Sequence, residues 1–356
     1  MTHMSGLEER PTYLFGAGAA ASWILQGFRR DGIRVDGFLD DAAVRIGAVG
    51  SVPVFLPDDD RALGQDLRGT STVVMAVMSP RFDEAGARER LESLGWADVR
   101  GFGEYGRAML AESGRRCAML SADELDSHVS ELQQVRSLLG DHQSRQVFDG
   151  FLNFVRDLDD TGFPPITEHP YYPDDLPRWP EPLRMIDLGA FDGETVAAAI
   201  DRGYNLEAAV SFEPDPTNFA QLATTSRDIP GMSALPLGVL DRTCVLKFAS
   251  QGDAGSFVSE SGDIAIQCVA LDDAIPHFAP NMIKLDIEGS EEAALHGGEE
   301  LLRKYRPCLA VSLYHLSTDV WRIPLYLREI LGECDFRLRR HSRTIADTVL
   351  YVYPLD

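Results

Sequence analysis

The sequence has little positive charge and no long apolar run, and both absences restrict the partners we expect. Its 33 basic residues stand against 56 acidic ones, which leaves a formal net charge of −23. Such a balance repels phosphate backbones and anionic lipid surfaces. No apolar stretch approaches ~18 residues, and the amino terminus lacks a basic segment followed by an apolar one. We therefore expect a cytoplasmic protein that binds neither nucleic acid nor membranes.

Cysteine is also scarce. The five cysteines, Cys117, Cys244, Cys268, Cys308 and Cys334, are odd in number and scattered, and no two of them form a C-x-x-C pair. Most of them lie within apolar, strand-like runs. The pattern is typical of reduced core residues.

The length of 356 residues predicts two domains, each with its own core. From Thr12 to about Tyr105, short apolar runs alternate with helical ones, as in a parallel sheet of βαβ units. After Leu183 a second alternating pattern offers five parallel-type strands and a terminal hairpin. We therefore predict an α/β protein with two Rossmann-like domains, over residues 1–115 and 181–356.

Residues 116–180 are predicted to join these domains as a helical linker followed by a proline-rich segment. Residues 121–139 have apolar side chains at helical spacing, opened by the capping box from Ser121 to Glu124 and stopped by Gly140. A second helix begins at Asp141. The prolines of "TGFPPITEHPYYPDDLPRWPEP" then exclude regular structure.

Two strand ends of the second domain predict a nucleoside site, because ligands of an open α/β sheet bind outside the carboxyl ends of its strands. The stretch "MIDLGAFDGET" places Asp187, Gly189 and Gly193 after one strand, where glycines let the backbone approach a ligand. The next strand ends at Glu213, twenty residues after Gly193. That spacing is the one at which a carboxylate accepts hydrogen bonds from ribose hydroxyls.

The missing G-x-G-x-x-G triplet at this turn favours S-adenosylmethionine over a dinucleotide. A dinucleotide needs close backbone contact with its pyrophosphate, which the acidic side chains of the turn would repel. A cationic sulfonium with an amino acid tail suits such a turn better. An NAD-type ligand and a purely structural turn are the two alternatives.

Two further strand ends predict the acceptor side of the site. Asp286 lies at the terminus of the strand in "NMIKLDIEG" and is expected to face the cleft, whereas Glu288 and Glu291 could cap the following helix. His315 follows the run "CLAVSLY" and is the expected base, with Asp286 orienting it or acting as the base itself. A magnesium ion held by Asp286 and Glu288 is a second way to activate a hydroxyl.

Several ordered motifs resemble the FkbM family of S-adenosylmethionine-dependent O-methyltransferases. From about Tyr171 onwards, "MIDLGAFDGET", "VSFEPDPTNFAQL", "IKLDIEGSEEAALHG", "LAVSLYHLSTDVWRIPLYL" and "TVLYVYP" follow one another in that family's order. The resemblance implies a class I methyltransferase fold, a parallel sheet with a terminal antiparallel hairpin. It also implies methyl transfer to a hydroxyl of a sugar, a glycoside or another natural-product or polysaccharide precursor.

By the same resemblance, Asp286 and His315 would face the acceptor, a small molecule or a glycan. The cofactor would be held by residues of three strand ends: Asp187, Gly189, Ala190, Asp192, Gly193, Glu194, Thr195, Glu213, Pro214 and Asp286.

The amino-terminal half contains a second turn of ligand-binding type. Gly16, Gly18 and Ala19 lie between the strand "TYLF" and a helix, and Asp40 follows the second strand. The stretches "VDGFLDD" and "IGAVGSVPVF" look like the Rossmann-like domains of bacterial sugar-modifying enzymes, in which nucleotide-sugars or related ligands bind. Ligand binding and a scaffold or dimerisation role, with a homo-oligomer, both fit this half. The alternative for the whole chain is a nucleotide-sugar-binding or NAD-dependent protein with a non-catalytic second domain.

Overall fold

The chain divides into two compact units, Met1–Arg115 and Arg116–Asp356. The computed structural model describes residues 10–18, 21–30, 32–77, 82–101, 122–157, 162–249, 257–258, 264–342, 345 and 347–355. Within these ranges, no helix combines the length and the apolar character that crossing a membrane requires. Four of the cysteines, Cys244, Cys268, Cys308 and Cys334, are free thiols, while Cys117 lies outside the described residues.

The first unit is built on a six-stranded sheet of order β3-β4-β2-β1-β5-β6. All neighbouring strands are parallel except β3, which pairs antiparallel with β4. The strands are β1 (Thr12–Phe15), β2 (Gly37–Leu39), β3 (Ala48–Val49), β4 (Val52–Phe55), β5 (Thr72–Met75) and β6 (Asp98–Arg100). The described helices are Ala21–Arg30, Ala43–Ile46, Gln65–Thr70 and Glu84–Ser93.

Burial on both faces explains why the central strands of this sheet are continuous apolar runs. Every residue of β1 and β5 is buried. Leu14 packs with Phe28 on one face, while Tyr13 packs with Met75 and Trp96 on the other.

The second unit contains a seven-stranded sheet of order β16-β17-β15-β14-β7-β8-β9. Its strands are β7 (Leu183–Leu188), β8 (Leu206–Phe212), β9 (Met232–Leu235), β14 (Met282–Leu285), β15 (Cys308–Ser312), β16 (Cys334–Arg340) and β17 (Thr348–Pro354). Only β16 and β17 form antiparallel pairs, which is the predicted terminal hairpin. The prediction of two Rossmann-like domains is confirmed.

The order of the strands fixes where a ligand of the second unit should bind. The chain runs outwards from β7 through β8 to β9, then returns to pair β14 with the other side of β7. The crevice of a doubly wound sheet lies where the strand order reverses, at the carboxyl ends of the strands. The predicted site residues after β7, β8, β14 and β15 therefore lie at one edge of one sheet.

The remaining elements of the second unit surround this sheet. A small sheet of order β10-β13-β11-β12 consists of β10 (Gly238–Val239), β11 (Cys244–Ala249), β12 (Phe257–Val258) and β13 (Ile264–Val269). The described helices are Ala122–Ser127, Val129–Leu138, His142–Asp157, Glu194–Asp201, Pro216–Asp228, Leu271–Ala274, Glu291–His296, Glu299–Tyr305 and Asp319–Leu331.

The helices predicted as a linker are present and belong to the core of the second unit. Their apolar stripe, which includes Leu125, Val135 and Phe148, is buried in one cluster with Phe336 of β16 and Leu350 of β17. The proline-rich segment that follows forms neither helix nor strand over residues 162–182, as predicted.

Candidate active site

Glycine at position 189 is required by the neighbouring strand end. Gly189 and Gly193 have positive φ angles of 75° and 93°. A Cβ on Gly189 would lie 1.8 Å from the carbonyl oxygen of Asp286. The turn after β7 therefore packs directly on the end of β14, which a side chain at position 189 would prevent.

Glu213 joins the loop after β8 to the turn after β7. The side chain is only 6% exposed, and its Oε2 accepts a hydrogen bond from Phe191 N at 3.0 Å while its Oε1 accepts one from Asp215 N at 2.9 Å. Burial raises the pKa of Glu213, against the opposing effect of these backbone donors and of Lys284. The two backbone donors fix the carboxylate at the carboxyl end of β8.

Lys284, which the sequence analysis did not select, lies beneath the turn. Its Nζ is 3.2 Å from Asp187 Oδ1 in a fully buried ion pair, and it donates hydrogen bonds to the carbonyl oxygens of Leu188 and Gly189. Burial lowers the pKa of Lys284, but Asp187, Asp286 and Glu213 outweigh it and hold that pKa above its usual value. A lone lysine inside the apolar strand "NMIKL" was the signal for this residue.

Two phenols orient the carboxylate of Asp286. Tyr171 donates a hydrogen bond to Oδ2 at 2.6 Å, and Tyr314 donates one to Oδ1 at 3.0 Å. Burial acts to raise the pKa of Asp286, but Lys284, His315 and the two phenols hold it below its usual value. Sequence reasoning missed Tyr171, because it lies in the segment expected only to connect domains.

His315 is surrounded by an acidic cluster, defined here as Asp286, Glu288 and Glu291. Its Nδ1 is 2.8 Å from Glu291 Oε1, and its Nε2 is 3.5 Å from Asp286 Oδ1 and 3.6 Å from Glu288 Oε2. Burial lowers the pKa of His315, but Glu291 and the other carboxylates raise it to about 10. With this pKa, His315 must lose a proton before it can act as the predicted base, and that role stays a prediction.

The remaining predicted cofactor residues mostly support the turn itself. Asp192 Oδ1 accepts a hydrogen bond from Glu194 N at 3.0 Å. The side chains of Ala190 and Thr195 are buried, the carbonyl oxygen of Thr195 accepts a hydrogen bond from Tyr172, and Pro214 is half-buried. Their contact with a cofactor stays a prediction.

The turn of the first unit repeats one contact of the second. Asp40 Oδ2 accepts a hydrogen bond from Ala17 N at 2.8 Å, just as Glu213 accepts one from Phe191 N. Gly16 has a φ of 108°, and a Cβ there would lie 2.4 Å from the side chain of Val77. A Cβ on Gly18 would meet no atom within 4 Å among the described residues. Ala19 lies outside those residues.

Comparison with known proteins identifies methyltransferases that this chain resembles. The family model of the methyltransferase FkbM domain matches residues 187–338. The methyltransferase FkbM of Methylobacillus flagellatus KT is similar over 96% of this chain and 90% of its own, with 22% identity and a TM-score of 0.73. Comparison with curated proteins gave no match.

Two weaker structural likenesses cover about half of the chain. An rRNA methylase from Streptococcus thermophilus has a TM-score of 0.32 and 11% identity, over 50% of this chain and 90% of its own. Fibrillarin from Aeropyrum pernix, solved with bound S-adenosyl-L-methionine, has a TM-score of 0.30 and 12% identity, over 48% of this chain and 65% of its own.

The order of the strands and the family model lead to the same conclusion. The seven-stranded sheet has the predicted arrangement of a methyltransferase domain, and the matched residues extend from Asp187 in β7 to Leu338 in β16. The resemblance drawn from the motifs is thereby confirmed: residues 187–338 match the methyltransferase FkbM domain.

Proposed function

We propose that the second unit binds S-adenosylmethionine and transfers its methyl group to a hydroxyl of a sugar, a glycoside or another small-molecule or glycan acceptor. The carboxylate of Glu213, held beside the turn after β7 by two backbone N–H groups, carries this proposal. Each of its oxygens uses one lone pair for a backbone donor and keeps capacity for a ribose hydroxyl.

The charge around the turn favours a cationic cofactor over a pyrophosphate. The carboxylates of Asp187, Glu213 and Asp286 outnumber the ammonium of Lys284, which is paired with Asp187. A positively charged sulfonium gains from this excess of negative charge, whereas a dinucleotide phosphate would lose. This argument supports S-adenosylmethionine over NAD.

The chemistry is an in-line displacement in which positioning supplies most of the rate. The acceptor oxygen bonds to the methyl carbon as the carbon–sulfur bond breaks, which leaves S-adenosylhomocysteine. The proton of the hydroxyl departs towards the acidic cluster. The end of β14 is suited to this step because Asp286 is ionised there and fixed by two phenols.

A labelled-methyl assay tests the proposal. The protein is incubated with isotopically labelled S-adenosylmethionine and a panel of sugars, nucleotide-sugars and polyketide glycosides, and the products are searched for a mass gain of one methyl group. Calorimetry on the same preparation compares S-adenosylmethionine, its demethylated product and NAD. A protein that binds NAD and ignores both other ligands would refute the proposal.

The repeated turn contact supports a second part of the proposal, that the first unit binds part of the acceptor. Asp40 accepts a backbone hydrogen bond in the Gly16 turn as Glu213 does in the turn after β7, and a Cβ on Gly18 would meet no described atom within 4 Å. A nucleotide-sugar or a related glycosyl group is the ligand class we propose for this turn.

A further inference from the structure

The side chains around His315 form a cluster of possible metal ligands beside the proposed donor site. Asp286, Glu291 and His315 offer ligand atoms that all lie within 4.8 Å of one another, and Glu288 Oε2 lies 3.6 Å from His315 Nε2. Three carboxylates therefore surround one imidazole. Even a protonated ring leaves this group with an excess of negative charge.

One nitrogen of His315 is directed into this group without a hydrogen bond. The side chain of His315 is 8% exposed, and its buried Nε2 has no hydrogen-bond partner among the residues that the structure describes. Its distances of 3.5 and 3.6 Å to Asp286 Oδ1 and Glu288 Oε2 exceed the normal hydrogen-bond range. They approach the ~3.0–3.4 Å that separates two ligands bound ~2.1 Å from the same metal ion.

The other nitrogen of His315 fixes the orientation of the ring. Nδ1 lies 2.8 Å from Glu291 Oε1, which also accepts a hydrogen bond from Ile287 N at 2.8 Å. A carboxylate on one imidazole nitrogen, with the other nitrogen directed at a cation, is the usual outer support of a metal-binding histidine. Tyr171 and Tyr314 support Asp286 in the same way.

We propose that His315 Nε2, which releases its proton on binding, holds one divalent transition-metal ion together with Asp286 and the half-exposed side chain of Glu288. Glu291 is the positioning residue for the imidazole. The imidazole ligand favours iron or zinc over the magnesium expected from Asp286 and Glu288 alone, while the two carboxylates also suit manganese. Three protein ligands leave coordination positions for the acceptor hydroxyl, whose pKa the ion would lower. That last consequence rests on the proposed function, whereas binding of the ion does not.

The test uses the full chain, stripped of metal with a chelator and titrated with Mn²⁺ and, separately, Zn²⁺ by calorimetry. We expect one ion per chain. Glu288→Gln should weaken Mn²⁺ binding by at least ~10-fold. Glu292→Gln is the matched control, because Glu292 lies on the helix that begins at Glu291 but pairs with Arg322. The Glu288 side chain is 36% exposed, so its replacement should not prevent folding.

A spectroscopic measurement identifies the nitrogen ligand. Pulsed electron paramagnetic resonance of bound Mn²⁺ should show nitrogen coupling in the wild type and lose it in His315→Gln. The proposal is overturned if neither ion binds, if Glu288→Gln and Glu292→Gln bind equally well, or if the nitrogen coupling survives in His315→Gln.

Failure of this inference can be separated from failure of the proposed function. A chain that binds the ion but neither S-adenosylmethionine nor its demethylated product contradicts the proposed function and supports the metal site. A chain that binds S-adenosylmethionine but no ion contradicts the metal site alone.

Discussion

Glu213 is the residue on which cofactor binding should depend most. Removing its carboxylate in Glu213→Ala takes away a charge-assisted acceptor for ribose and the bridge between two loops, and we expect a loss of roughly 1.5–3 kcal/mol in S-adenosylmethionine binding. Calorimetry measures this change in binding free energy. The control is Glu207→Ala, on the same strand, whose side chain pairs with Arg184 and is half exposed. If both variants bind S-adenosylmethionine with equal affinity, Glu213 does not contribute to the cofactor site.

Lys284 should contribute to stability because its charge compensates the buried Asp187. Lys284→Met leaves that carboxylate uncompensated, and breaking a buried pair costs about 3–5 kcal/mol of the free energy of unfolding. Denaturant unfolding provides the measurement, with the exposed Lys304→Met as the control. A double variant with Asp187→Asn should recover part of the loss. An unchanged midpoint for Lys284→Met would show that the pair is not needed.

The residues after each strand were predictable because a parallel sheet brings its carboxyl ends to one edge. Asp187, Glu213, Asp286 and His315 were placed there from the sequence alone. Tyr171 was not, since it lies 115 residues from Asp286, the residue to which it donates a hydrogen bond, and no local pattern encodes that contact. The charge of His315 also depends on three carboxylates that only the fold assembles around it.

At the scale of the element, the proline-rich segment is fixed to the terminal hairpin through a neutral histidine. His341 Nδ1 contacts the carbonyl oxygen of Thr167, and its Nε2 contacts the hydroxyl of Tyr351, both at 2.7 Å. Burial lowers the pKa of His341 to about 4. The unfolded chain, with an ordinary histidine pKa near ~6.5, therefore binds this proton more readily than the folded chain.

The sign of the pH effect follows from this depressed pKa. His341 leaves stability unaffected above pH ~6.5, and the free energy of unfolding should fall by up to about 3 kcal/mol as the pH drops from ~6.5 to ~4. His341→Gln should lack this share of the acid dependence. Urea unfolding at pH 7 and pH 4.5 makes the comparison. Identical pH dependence in both proteins would show that His341 is not responsible.

The helices between residues 122 and 157 show that a sequence pattern predicts the presence of a helix more reliably than the surface against which the helix packs. The spacing of Leu125, Leu132 and Val135 indicated an apolar stripe. The spacing alone does not identify the part of the protein that buries this stripe. The structure places that stripe in the core with the strands of the second unit, so the helices are part of that unit. The proline-rich segment likewise supplies Tyr171 to the site instead of only spanning a gap.

At the scale of the whole molecule, the place where the chain is cut should decide whether the second unit folds. A chain that begins at Arg116 keeps every helix that the structure describes in that unit. One that begins at Asp141 loses Leu125, Leu132, Val135 and Leu139 from the core. Each large apolar side chain removed costs about 2–5 kcal/mol, against a total stability of roughly 5–15 kcal/mol. We expect cooperative thermal unfolding by circular dichroism only for the longer chain, and equally cooperative melting of both would contradict this.

The first unit should select the acceptor and leave the chemistry to the second, because every residue of the proposed donor site lies after Leu183. The chain from Arg116 should then bind S-adenosylmethionine with near-native affinity, yet methylate the native acceptor poorly.

Gly18→Asp in the full chain should cause the same loss of acceptor methylation, since it adds bulk and negative charge at a turn suited to a phosphate. Gly18→Ala is the matched control, because a Cβ there meets no described atom within 4 Å. Circular dichroism establishes that the Gly18→Asp protein is folded, and kcat/KM for the acceptor is compared with that for a truncated acceptor lacking its remote glycosyl group. If folded Gly18→Asp and Gly18→Ala share the wild-type kcat/KM for the complete acceptor, the first unit is a scaffold.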